Sequence, residues 1–369
     1  MVLGLARLAA RRPHVLTIAP APVTDERLAV RLAAEAELAR RGWPAADSPA
    51  DTDVVLVAGE VGPRLAEVVA AVWATVPAPR VLVRVESPGE LPGALDAAVA
   101  DLRGDGSKAS LLAWNGRRAP SSRHPGSGAT DDGAAFLPPD ASNDAPLAPT
   151  ADPVMAGLAD TDRDDLALDV VHAALGPVLP HWPAGLVVHA TLAGDLVTDA
   201  RADVLDVPGP REPAGRRRTP RGPDHLRLDA LVRVLGLAGA DRAAARARAL
   251  RDRDPAPGEL TTFGRRLARS RVLAWTLRGI PLAATDHVPV PEPTVEARVR
   301  ALAAGLGGSL APPVRPAPHR AAAALVGLEL GAARLALAAM DPDTALGAGP
   351  VEPFTPAASG HAHHHEHHG

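Results

Sequence analysis

The sequence predicts an α/β protein in which a parallel-sheet domain is followed by an α+β, mainly helical domain. Three observations carry this. Apolar runs of strand length alternate with stretches of helix length through the first hundred residues. The run Val54-Val55-Leu56-Val57 contains no polar group, as a central parallel strand covered on both faces requires. Beyond residue 153, two alternating segments around Gly194 and Asp195 give way to apolar residues spaced at i, i+3, i+4 and i+7.

Strands are expected over residues 14–19, 53–58 and 80–85, and helices over 24–41, 63–75 and 88–102. Together they form a βαβαβα unit within a domain of residues 1–103. Residues 104–152 are rich in Gly, Ser, Pro, Asp and Asn and read as a disordered linker. The second domain spans 153–341. Segments 186–192 and 196–205 flank Ala193-Gly194-Asp195 and predict a β-hairpin. Strict alternation would turn Thr198, Ala200, Ala202 and Val204 to the core and Asp199, Arg201 and Asp203 to water. After a basic Pro/Gly loop at 211–223, Leu228, Leu231, Val232 and Leu235 form one helical face, with Asp224 placed as N-cap. Further helices are expected at 241–251, 261–278, 294–306 and 318–340, with Gly279 and Pro281 ending the 261–278 helix. The stretch 321–340 has the length of a membrane span. Glu329 and Arg334 would each cost about 2.5 to 3.5 kcal/mol at a bilayer centre, so a buried soluble helix is expected there. Residues 342–369 form a flexible, His-rich tail.

A chain of 369 residues fits two domains plus linkers. Hydrophobic residues make up 46% but aromatics only 2%, with no Tyr, so the cores must be built from Ala, Val and Leu. The formal charge of -4 is small and mixed along the chain, which argues against a nucleic-acid partner. The absence of cysteine excludes a disulfide framework, a thiol nucleophile and any cluster held by Cys thiolates. Arg7, Arg11 and Arg12 interrupt any apolar export signal, so a cytoplasmic location is expected.

Several groups invite a chemical reading. Gly59 and Gly62 can shape an anion-binding turn at a helix N-terminus, but without a full phosphate-loop pattern a structural turn is favoured. Asp160, Asp162, Asp164 and Asp165 surround Arg163 and read first as a solvated turn, with a cation site or subunit contact as the alternative. Trp182 is expected as a core anchor. His172, His189 and His225 stand singly, and no Ser/His/Asp set or metalloprotease motif appears. Arg216, Arg217 and Arg218 read as a solvated loop, the alternative being phosphate or anionic-lipid contact. At the C-terminal end, His361, His363, His364, His365, His367 and His368 are expected to bind nickel, zinc or copper.

The segment Asp53 to Gly62, followed by Leu65 to Val69, Val72-Trp73 and Val76-Pro77-Ala78-Pro79-Arg80, resembles the small, cluster-bearing subunit of complex I and of nickel-iron hydrogenases. That resemblance implies a flavodoxin-like domain over residues 14–103. Where the family places cluster-binding cysteines, this chain has Ile18-Ala19-Pro20-Ala21-Pro22 and Val85-Glu86-Ser87-Pro88. The second region is similar to the start of the hydrogenase large-subunit-like chain, through Gly176-Pro177-Val178-Leu179-Pro180 and the segments around Gly194. The family's quinone-binding His falls at Leu179, and its opposing Tyr has no counterpart. The resemblance therefore implies a non-catalytic structural or assembly component of an NADH:quinone oxidoreductase-like or hydrogenase-like complex. Its expected partners are the other subunits of that membrane assembly, with no cofactor, no nucleic acid and no direct membrane span, and a location peripheral to the inner face of the cell membrane. Two alternatives stand beside this reading. One is a metal-handling accessory that carries Ni or Zn on the tail. The other is a quinone- or nucleotide-binding oxidoreductase subunit without an iron-sulfur cluster.

Overall fold

A computed structural model of the protein describes residues 11–105, 154–161, 167–207, 222–253, 255–282 and 291–347. It is mixed α/β. Strands β1 (Val15–Ile18), β2 (Val54–Ala58) and β3 (Val81–Val85) form a parallel sheet, with helices α1 (Asp25–Arg41), α2 (Pro63–Thr75) and α3 (Leu91–Ala100) following each in turn. All five residues of β2 are buried, because the strand order β1-β2-β3 puts it in the middle. In a flavodoxin-like order the first strand would hold that place.

Local signals set the helix ends. The Thr24 hydroxyl accepts the Arg27 N–H at 3.3 Å, Asp25 and Glu26 occupy the first turn of α1, and Gly42 closes it in the left-handed region at φ 66°. Pro63 opens α2, and its last carbonyls are met by Arg80, which donates to the Trp73 carbonyl at 2.5 Å and to that of Val76. The guanidinium also lies over the Trp73 ring, 4.4 Å from its centre. The Arg of the Pro-Ala-Pro-Arg segment thus closes a helix C-terminus.

Helices cover both faces of the sheet. Val30, Ala34 and Leu38 of α1 and Leu91, Leu95 and Ala98 of α3 pack on Val54, Leu56 and Val83. On the other face, Leu65, Val68, Val69 and Val72 of α2 meet Leu16, Ile18, Val55 and Val57, joined by Val187 of the second sheet and Leu205 just beyond it. One continuous apolar cluster therefore spans the two sheets.

The second sheet is antiparallel in the order β4 (Val154–Thr161), β5 (Ala167–Leu175), β6 (Leu186–Ala193), β7 (Leu196–Val204). The sequence shows β6 and β7 by their alternation; β4 and β5 extend a hairpin that was expected alone. Gly194, at φ 62°, makes the tight β6–β7 turn. The expected facing of β7 needs correction. Thr191 pairs with Asp199 but Leu192 with Val197, so Thr198 is an extra residue on β7. The bulge reverses the alternation before it: Val197 is buried and Thr198 exposed, while Ala200 and Val204 keep the predicted inward face.

Seven helices complete the described chain: α4 (Pro223–Leu237), α5 (Asp241–Arg251), α6 (Pro257–Ala268), α7 (Arg271–Thr276), α8 (Val295–Ala304), α9 (Pro318–Ala323) and α10 (Leu330–Met340). Three expectations are corrected here. Asp224 does not cap α4; Gly222 is the N-cap, and Asp224 instead pairs with Arg227 at 3.2 Å and accepts the Gly307 N–H at 3.2 Å. The helix expected over 261–278 breaks at Arg269 and Ser270, where the Ser270 hydroxyl accepts the Leu273 N–H at 3.3 Å and starts α7. The helix expected over 318–340 breaks at Gly327, with φ 85°, because the chain there serves the edge of β7: Val197 N–H donates to Leu328 O at 2.9 Å and Gly327 N–H to Val197 O at 2.8 Å. Among the described residues no helix is long and apolar enough to cross a membrane.

Candidate functional site

The two regions meet at a buried cluster of charges. On α1, Arg31 and Glu35 are one turn apart and pair at 3.1 Å. That face of α1 lies against α4 and α5, which present Asp229, Arg233, Arg248 and Arg251. Asp229 is the hub. Its Oδ2 accepts from Arg31 Nη2 at 2.9 Å and from Arg233 Nη2 at 2.5 Å, and its Oδ1 from Arg251 Nη1 at 2.6 Å. The Arg251 side chain is wholly buried and also reaches Glu35 at 2.7 Å and Asp252 at 2.8 Å. From the far side, Arg233 continues to Asp341, whose carboxylate also meets Arg315 at 2.9 Å, and Arg315 reaches Asp343 at 3.1 Å.

Periodicity explains why the charges converge. Arg31 and Glu35 are i and i+4 on α1, and Asp229 and Arg233 are i and i+4 on α4, so each pair forms one short stripe. Asp341 follows the last residue of α10 in the left-handed region at φ 48°, which Asp tolerates.

Burial by itself would raise the Asp229 pKa, but Arg233, Arg31 and Arg251 hold it well below the usual carboxylate range. Burial likewise opposes the charge on Glu35, which Arg251 and Arg31 keep lowered. On Arg251 and Arg315 burial works against the cation, and the facing carboxylates outweigh it, so both guanidiniums are more firmly protonated than usual. Glu35, Asp229, Asp252, Asp341 and Asp343 thus face Arg31, Arg233, Arg248, Arg251 and Arg315 in a balanced set. Asp229 and Glu35, held ionised and saturated with donors, are poor general bases, and a guanidinium is no general acid. The arrangement can lock two surfaces together. A narrow cleft bordered by Pro22, Pro183, His225, Arg31 and Arg315 opens beside it.

A second link lies at the start of α2. The Asp206 carboxylate accepts the Arg64 N–H at 3.2 Å and the Leu65 N–H at 2.8 Å, while the Arg64 side chain reaches Asp203 at 3.2 Å. A Cβ on Gly62 would stand 2.4 Å from the Asp206 carboxyl carbon. The Gly59/Gly62 turn does hold an anion at a helix N-terminus, and that anion is the protein's own aspartate. Gly59 packs against the Pro20 ring, its missing Cβ lying 3.2 Å from Pro20 Cγ, and a Cβ on Gly185 would meet the Ala21 backbone nitrogen at 2.6 Å. The carboxyl ends of β1 and β2, on the side where open α/β sheets bind ligands, are packed by Pro20 and Ala21.

The other sequence candidates are dispersed. Trp182 is 8% exposed, donates to the Leu186 carbonyl at 2.8 Å and covers Gly176, as expected of a core anchor. His181, beside Trp182 in the bulky His-Trp-Pro insertion, has φ 58° and lies against Gly236 of α4, where a Cβ would stand 2.2 Å from its ring. Burial, then Arg248, pushes its pKa down. Burial also lowers that of His189. His172 Nδ1 lies 3.1 Å from Thr191 Oγ1. Leu179 packs against the main apolar cluster. Asp162, Asp164, Asp165, Arg216, Arg217, Arg218 and the six terminal histidines lie outside the described residues. Among the described residues no His, Asp and Glu side chains group in a metal-binding set.

Sequence reasoning missed the ion cluster because a buried Arg or Asp is indistinguishable from a solvated one until the helices are docked. The i, i+4 pairs Arg31/Glu35 and Asp229/Arg233 on otherwise apolar faces were its only local trace. No protein-family model matches this chain, and no curated protein and no solved structure matches it either.

Proposed function

We propose that the chain is a non-catalytic structural or assembly component of an NADH:quinone oxidoreductase-like or hydrogenase-like complex, acting through its small-subunit-like and large-subunit-like regions. The observation that carries the reading is the junction between them: α1, α4 and α5 are joined by buried Arg/carboxylate pairs, and the carboxyl ends of β1 and β2 are filled by Pro20 and Ala21. The segment Ile18 to Pro22, where the resemblance puts cluster-binding cysteines, is used here for packing, and the ion pairs hold the two regions together. The flavodoxin-like likeness is taken at the level of a βαβαβα unit with helices on both sheet faces, not of strand order. The test is affinity purification from the native membrane fraction, with mass spectrometry of partners and iron and nickel analysis. Co-purifying membrane subunits are expected, with no iron in this chain; a free protein without such partners overturns the proposal.

A second reading rests on the terminal histidines, whose imidazoles suit Ni²⁺ and Zn²⁺. A metal-handling accessory would be isolated free of membrane subunits, with nickel or zinc bound, and deletion of residues 360–369 would abolish its effect on a metal-dependent enzyme.

A further inference from the structure

The corner between α6 and α7 carries a surface chemistry that internal packing does not use. Its inner side is fixed. Phe263, Leu267, Leu273 and Leu277 are buried, and Gly264 approaches α8 so closely that a Cβ would stand 2.1 Å from the Ala303 carbonyl oxygen. The outer side presents Arg265, Arg266, Arg269, Arg271 and Arg278, all exposed. Among these cations stand Val272 and Trp275, 74% and 72% exposed, more than any other large apolar side chain described.

Among the described residues the charge is uncompensated. No acidic residue occurs from Leu260 to Thr285. The flanking carboxylates are engaged elsewhere: Glu259 pairs with Arg246 and Arg253, and Glu296 with Arg300 at 2.8 Å. Among the described residues none of the five arginines of the corner is in an ion pair, although the chain as a whole is acidic at -4.

We propose that this corner docks the protein onto an anionic lipid surface, with Trp275 and Val272 entering the headgroup boundary and the arginines meeting lipid phosphates. Charge complementarity selects an anionic partner. Two apolar side chains standing clear of the surface select a bilayer over a nucleic acid, since an indole is stabilised at the junction of polar headgroups and acyl chains. An acidic protein would need a complementary hollow for Trp275, whereas a fluid bilayer adapts to it. The assignment does not depend on the subunit role above, because it concerns the isolated chain and lipid alone.

The test is co-sedimentation of the purified full chain with vesicles of phosphatidylcholine alone or mixed with phosphatidylglycerol. Binding only to the mixed vesicles is expected, weakening as salt rises. Each arginine near such a surface is worth roughly fivefold in affinity, so replacing Arg265, Arg269 and Arg271 together with Gln should weaken binding about a hundredfold. Trp275→Ala should lower binding with an unchanged melting temperature, because the side chain is exposed. Failure to bind mixed vesicles, equal binding by these variants, or loss of binding only on replacing Arg216 to Arg218 overturns the assignment. So does binding to duplex DNA or an acidic polypeptide as tight as to the mixed vesicles and indifferent to Trp275→Ala.

Discussion

The Asp206 carboxylate caps helix α2 from across the molecule, its Oδ2 2.8 Å from the Leu65 backbone nitrogen although the two residues are 141 apart in sequence. The turn after β7 thereby supplies what the helix's own N-cap, Gly62, lacks. Asp206→Ala should destabilise the protein by about 1 to 2 kcal/mol, as for loss of a side-chain cap. Asp206→Asn, which retains an acceptor and tolerates φ 54°, should cost less. Gly62→Ala should be destabilising beside Asp206 and less so in the Asp206→Ala background, which removes the carboxyl group but leaves the Cβ of residue 206 close by. Denaturant unfolding of the four proteins gives that coupling, and additive effects would show that the two residues do not meet.

Asp229 faces Arg31, Arg233 and Arg251 in a buried setting. Asp229→Ala should therefore cost about 3 to 5 kcal/mol, since it leaves buried cations unopposed. Replacing the exposed Glu67 in the same way should fall within about 0.5 kcal/mol. Equal effects from the two substitutions, measured by thermal and urea unfolding, would contradict the lock.

Acid should loosen this junction. The folded pKa values of Asp229 and Glu35 lie below their unfolded ones, so the stability linked to them is complete above the unfolded values, near 4, and is lost as pH falls through the folded values. Stability measured below pH 4 should decline less steeply in Asp229→Asn than in the parent protein.

Histidine burial adds a second, milder slope. The pKa of His181 and of His189 is lowered in the fold, so the unfolded chain takes up protons first, and stability falls as pH drops below about 6.5. His181→Asn, which accommodates the positive φ, should flatten the dependence between pH 7 and 5.5 in part. An unchanged slope would mean that the ring is free to protonate in the fold.

Deleting residues 360–369 should abolish retention on immobilised nickel and leave the melting temperature unchanged, because the described core is built without them. A drop in melting temperature would show that the tail packs on the fold.

The sequence by itself determined the elements whose periodicity is enforced by burial. Val54 to Val57 read as a covered strand, and the spacing of Leu228, Leu231, Val232 and Leu235 as a helix face, because apolar burial acts on each local segment in the same way. Trp182 was legible as an anchor for the same reason. Other features awaited tertiary structure because their causes lie in a distant partner. The break at Gly327 answers the unpaired edge of β7, and the bulge at Thr198 answers β6. The candidate site was the least legible part. Arg31 and Asp229 are 198 residues apart, and a charged side chain has the same local sequence signature whether it faces water or a buried counter-ion. Only the docking of α1 against α4 and α5, driven by the apolar faces around them, decided that these charges would meet out of solvent.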